Sequence, residues 1–90
     1  MTRLIARIHI SSPFTKSYRK LSDQVQELAK KKDQWFRHNA FDSRLRTHKL
    51  HGELQGYWSY SVNDAYRVLF RFVGSDEAIY YDISTHDIYR

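Results

Sequence analysis

From residue 57 onward the chain is written almost entirely in the two-residue period of β-structure, and no other feature restricts its fold as much. The run Tyr57-Trp58-Ser59-Tyr60-Ser61-Val62 is followed by the turn formers Asn63-Asp64 and then by residues 65–73, with aromatic and β-branched side chains on both arms. That pattern predicts a hairpin. Gly74-Ser75-Asp76-Glu77 supplies a second turn and residues 78–83 a last strand, so three antiparallel strands follow one another. On the middle strand Tyr66, Val68, Phe70 and Phe72 share one face and Arg67, Leu69, Arg71 and Val73 the other, because successive side chains of a strand point to opposite sides. Arg67 and Arg71 therefore project together, away from the apolar face.

Upstream the period changes. Residues 4–10 alternate, with Leu4, Ala6, Ile8 and Ile10 set against Ile5, Arg7 and His9, which predicts a first strand with Leu4 on its buried side. Ser12-Pro13 reads as an N-cap followed by proline at the first helical position. Phe14, Tyr18, Leu21, Val25 and Leu28 then recur at three- and four-residue spacing, predicting helix to about His38. Asp23 and Gln26 have the spacing of a capping box, which leaves open one helix or two meeting near Ser22. Val25, Leu28, Ala29, Trp35 and Phe36 form the inward stripe, and Lys30-Lys31-Lys32 reads as a solvated face. Periodicity is lost over residues 39–49, which predicts a loop carrying Arg44, Arg46, His48 and Lys49. The order of elements is strand, helix or helices, and three strands: an α+β domain spanning residues 1–90, with helices on one face of a small antiparallel sheet.

Composition narrows the class. With 41% hydrophobic residues, three Gly and one Pro among 90, the chain is a compact domain rather than a linker. It has no Cys, so seven Tyr, five Phe and two Trp must carry a large share of the core. The apolar start is cut by Arg7 and His9, which gives neither a secretory segment nor a membrane span and makes the cytoplasm the expected compartment. A net charge of +5 favours polyanionic partners. His48 and His51 are closely spaced, but without Cys or a second such pair no metal site is expected.

The run from His48 through Ser59, the segment Asn63-Asp64-Ala65-Tyr66-Arg67-Val68-Leu69-Phe70 and the ending Asp82-Ile83-Ser84-Thr85-His86-Asp87 together resemble the RelE/ParE toxin superfamily, most closely its YafQ-, YoeB- and HigB-like branches. The resemblance implies a type II toxin that cuts messenger RNA in the decoding site of the small ribosomal subunit, without metal or cofactor, and is neutralised by a cognate antitoxin. By the same resemblance His48 falls where relatives have a functional His or a base, Arg67 matches the strand arginine that contacts the scissile phosphate, and His86 matches the C-terminal histidine. The chain departs from the pattern at Ser61, where relatives often carry Arg or His, and at Ala65, where YafQ-like members carry a catalytic Asp. Arg71 is the candidate to supply the missing charge, and Tyr89 or Arg90 the C-terminal aromatic or basic group. The superfamily also contains gyrase inhibitors of the ParE type, and a catalytically inactive binding module is a further alternative.

Cleaving RNA without metal requires a base for the 2′-hydroxyl proton, an acid for the leaving 5′-oxygen and cations around the phosphate. Imidazole suits both proton transfers, and guanidinium can hold two phosphate oxygens. His48, Arg67 and His86 are thus the candidate catalytic set, with His48 as base and His86 as acid. Arg44, Arg46, Lys49, Tyr57, Arg71, Tyr89 and Arg90 are the candidate RNA-binding residues. Tyr57 is the stacking candidate because it alternates away from Trp58 and Tyr60, which are assigned to the core. Asp82 reads as a partner for Arg67 or Arg71, or as the residue that orients a histidine.

Overall fold

The computed structural model describes residues 2–85. Strand β1 (Arg7–Ile10) leads into helices α1 (Ser12–Arg19) and α2 (Asp23–His38), followed by β2 (His48–Lys49), β3 (Trp58–Ser61), β4 (Tyr66–Val73) and β5 (Glu77–Thr85). The strands form one sheet in the order β1-β5-β4-β3-β2. This is the α+β arrangement read from the pattern. Two features go beyond that reading: β1 runs parallel to β5, making the sheet mixed, and the expected loop over residues 39–49 contains the short edge strand β2.

Two helices form because the chain is capped twice. Ser11, one residue before the expected cap, accepts the Phe14 N–H, and Ser22 accepts the Val25 N–H, each at 3.2 Å. Across the break the Gln26 amide donates to the Tyr18 carbonyl at 2.9 Å, and the Tyr18 hydroxyl donates to the Gln26 carbonyl at 3.3 Å. This reciprocal pair joins the two helices where neither can bond the other through its ladder.

The helices cover the Val68/Phe70 face of the sheet. Phe36 on α2 sits at its centre with no solvent exposure, its ring 4.9 Å from Tyr60 and 4.8 Å from Phe70. Truncating a ring so placed costs on the order of 3–5 kcal/mol. Within this aromatic core the Tyr60 hydroxyl donates to Tyr80 at 2.9 Å, Tyr80 donates to the Asp33 carboxylate at 2.7 Å, and Arg37 Nε donates to the other Asp33 oxygen at 2.9 Å. Burial pushes both phenols far above their usual range, so they remain neutral donors.

The start of the chain corrects the expectation for the first strand. β1 begins at Arg7 rather than residue 4; Ile5 is buried and Leu4 is exposed. The Ile5 N–H donates to the Arg37 carbonyl, and the Ala6 and Arg7 N–H groups both donate to Asp76, so these residues bridge the end of α2 and the β4–β5 turn before strand pairing begins. That tether, rather than the alternation, decides which side chain turns inward.

β5 carries a bulge. Leu69 pairs with Asp82 and Phe70 with Tyr80, leaving Tyr81 as the extra residue. Its ring packs against Tyr57 at 5.2 Å, an instance of a bulge redirecting a side chain.

Candidate functional site

The face of the sheet away from the helices carries His48 and Arg67. On β2, His48 pairs with Ser59 of β3, and Ser59 pairs in turn with Leu69 of β4. Directly paired residues of antiparallel strands share a face. In the adjacent row Ser61, Arg67 and Ser84 lie across β3, β4 and β5. Neighbouring strands are about 4.8 Å apart and two residues advance about 6.8 Å, so the His48 and Arg67 backbones are roughly 12 Å apart on the diagonal. Two long side chains at that separation stand to either side of Ser59 and Ser61, both buried.

Hydrogen bonding orients the imidazole. His48 Nδ1 lies 2.9 Å from the Arg46 carbonyl oxygen, and Nε2 lies 3.4 Å from Ser59 Oγ. A carbonyl only accepts, so Nδ1 carries a proton and donates to it, which leaves Nε2 facing the Ser59 hydroxyl. The Arg46 carbonyl is brought there by a left-handed backbone at Arg46, φ 54°, which closes a 3₁₀ turn at Ser43–Leu45.

Arg67 is half-buried, and its Nη1 donates to the Asn63 carbonyl at 3.0 Å. Asn63 in turn accepts the Ala65 and Tyr66 N–H groups through its side chain, an Asx turn that fixes the hairpin end beside the guanidinium. Among the described residues neither Arg67 nor Arg71 forms an ion pair. Arg71 lies 5.5 Å from the Tyr57 ring centroid, on the same face as Arg67. Asp82, expected to meet an arginine or histidine, accepts from Ser17 Oγ at 2.6 Å and joins α1 to β5.

The structure thus gathers His48, Tyr57, Arg67 and Arg71 on one face and sends two other candidate RNA-binding residues elsewhere. Lys49 pairs with Trp58 on the opposite side of β2 from His48, its ammonium 5.6 Å from the indole. Arg44 makes a two-point contact with Asp42, Nη2 at 2.7 Å and Nε at 3.0 Å, and lies 3.6 Å over the Trp35 ring on α2. Those bonds, with the Arg44 backbone N–H, hold the Asp42 carboxyl at about 2. Arg46 is exposed at the end of the same turn. His86, Tyr89 and Arg90 lie outside the described residues. Sequence reasoning missed Ser59, whose role depends on the β2–β3 register, and Lys32, assigned to a solvated face but partly buried with its ammonium 3.8 Å over Trp35. Among the described residues no group of three or more His, Cys, Asp or Glu is placed to hold a metal ion, and no helix is long and apolar enough to cross a membrane.

This order of elements and this sheet define a RelE-like α+β fold, and solved toxin structures share it. The toxin–antitoxin complex RelBE2 from Mycobacterium tuberculosis superposes with a TM-score of 0.77 at 14% identity, covering 91% of this chain and 92% of that one. The YoeB/ParE toxin from Agrobacterium tumefaciens gives 0.75 at 17% identity, over 89% and 98% of the two chains. The DinJ–YafQ toxin–antitoxin complex of E. coli gives 0.72 at 15% identity, over 98% and 97%. No protein-family model and no curated protein matches the sequence. The chain therefore has the fold of the RelE/ParE-like toxins.

Proposed function

We propose that this protein is the toxin of a type II toxin–antitoxin pair and acts as a metal-independent endoribonuclease on messenger RNA at the ribosome. The observation that carries the reading is the placement on one face of the sheet of His48, whose Nε2 is turned toward the Ser59 hydroxyl by the Arg46 carbonyl bond at Nδ1, and of Arg67, which has no carboxylate partner among the described residues. A ribose-phosphate unit lying over Ser59 and Ser61 presents its 2′-hydroxyl to Nε2 and its phosphate to the guanidinium. His48 removes the 2′-hydroxyl proton, the oxygen attacks the adjacent phosphorus, and Arg67 stabilises the charge on the phosphate oxygens. His86 is the proposed acid for the departing 5′-oxygen. Tyr57 and Arg71 hold a neighbouring base and phosphate. The partner is a cognate antitoxin, as in the two toxin–antitoxin complexes of the same fold, and action on ribosome-bound message requires a cytoplasmic location.

End-group analysis of message cut in a cell-free translation system tests the proposal. The expected ends are a 2′,3′-cyclic phosphate upstream and a free 5′-hydroxyl downstream, unchanged by chelator. His48→Ala is expected to slow cleavage on the order of a hundredfold. Intact message beside gyrase-dependent DNA breaks would instead identify a gyrase inhibitor on the same fold.

A further inference from the structure

The fold brings the triple-lysine run of α2 against the basic loop that follows the helix. Lys32, Arg44 and Arg46 converge with Ser61, Asn63 and Asp64 on a pocket of about 150 Å³ between α2 and the β3–β4 turn. That is room for a phosphate group. We propose that this pocket is a second phosphate-binding subsite, which holds the backbone of a single-stranded RNA beyond the phosphate engaged by Arg67.

Three observations carry it. The pocket is cationic beyond local compensation: three basic side chains line it against Asp64, and the nearby Asp42 carboxylate is already engaged by Arg44. Arg44 spends Nε and one Nη2 hydrogen on Asp42, and a guanidinium has five donors, so the rest remain for a ligand. The cations are also crowded. Lys31, Lys32 and Arg44 all lie over the Trp35 ring, at 5.4, 3.8 and 3.6 Å. Burial, followed by the charges of Lys31 and Arg44, pushes the Lys32 ammonium below its usual range, an electrostatic cost that a bound anion relieves. Finally, the pocket adjoins Arg67: Ser61 lines it and pairs with Arg67, and the Asn63 that lines it accepts from the Arg67 guanidinium. A strand with one phosphate at Arg67 passes over the Asn63–Asp64 turn to reach it. The anion site stands on these contacts alone; its assignment to the RNA strand rests on the ribonuclease reading.

The test uses the indole N–H signals of Trp35 and Trp58 in NMR, together with RNA-binding isotherms at several salt concentrations. Titration with inorganic phosphate is expected to move the Trp35 signal and leave Trp58 unmoved; Lys32→Gln should abolish that shift and Lys32→Arg restore it. A single-stranded RNA long enough to reach both sites should bind about tenfold tighter than one covering Arg67 alone. In the Lys32→Gln, Arg46→Gln double variant that advantage should disappear, and the salt slope should fall by roughly 0.7, the value of one phosphate contact on a single strand. A folded double variant with unchanged affinity and slope overturns the subsite even if cleavage persists. So does a Trp35 response to an acidic peptide but not to phosphate, or binding to ribosomes but never to a free strand. If phosphate moves Trp35 and RNA binds with the expected slope but is never cut, the catalytic reading fails and the subsite stands.

Discussion

Arg46 shows how a single backbone angle serves the candidate site. Its left-handed φ of 54° turns the carbonyl toward His48 Nδ1, at a cost of about 1–2 kcal/mol for a side chain other than glycine. Arg46→Gly should therefore keep or gain stability in urea unfolding, whereas the β-branched Arg46→Val should lose more than about 1 kcal/mol. At Arg67 the expectation is reversed: the side chain lies off the core and holds one hydrogen bond to Asn63. Arg67→Ala should cost less than about 1.5 kcal/mol of stability yet slow RNA cleavage by on the order of 10²–10³. Arg67→Lys keeps the charge but loses the two-point grip, so it should recover only part of the rate. An Arg67→Ala chain that unfolds where the native chain is stable would make Arg67 a structural residue. Asp42 gives a pH dependence whose sign is fixed. Its folded pKa is depressed from 3.8 to about 2, so its contribution is complete above about pH 4 and is lost as the pH falls toward 2. Melting temperatures of the native chain should drop across that window more steeply than those of Asp42→Asn.

Among the elements, those with a strong internal pattern were legible in the sequence. The alternation of Tyr66, Val68, Phe70 and Phe72 against Arg67 and Arg71 is carried through to the structure, and the break near Ser22 does divide two helices. What escaped depends on partners distant in the chain. β2 has two residues, too few for a period to show, so the meeting of His48 with Ser59 follows only from pairing with β3. Lys32 lies over Trp35 beside Arg44, and nothing local signals that approach. The Tyr60–Tyr80–Asp33 chain between β3, β5 and α2 is of the same kind. Tyr80→Phe removes the donor to Asp33 and strands the Tyr60 hydroxyl, and should cost about 1–3 kcal/mol. The Tyr60→Phe, Tyr80→Phe double variant should cost less than the sum of the two single changes, because no orphaned phenol remains, and a double-mutant cycle by chemical denaturation measures this directly. Both phenols are pushed up by burial, so the native chain should lose stability as the pH rises past 10, where the unfolded state ionises first.

For the whole molecule, the Arg67 face is the side of the sheet that the helices leave uncovered, and the proposed antitoxin should close it. Co-expression should give a stable complex in which RNA binding is lost and hydrogen exchange slows along β3 and β4. A chain that is harmless at high expression and captures no such partner would count against the toxin reading. The parallel pairing of β1 with β5 adds a constraint in time. Arg7 sits beside Glu77, 70 residues later, so β1 has no edge to join until nearly the whole sheet has been made. At about 5–20 residues per second, translation takes several seconds to cross that interval. Over those seconds the nascent chain holds its first strand unpaired, and the sheet that carries both His48 and Arg67 is incomplete. The connectivity therefore acts as a delay: the first strand made is the last to find its place, and the face that carries His48 and Arg67 is finished only after the coding stretch for β5 has been read.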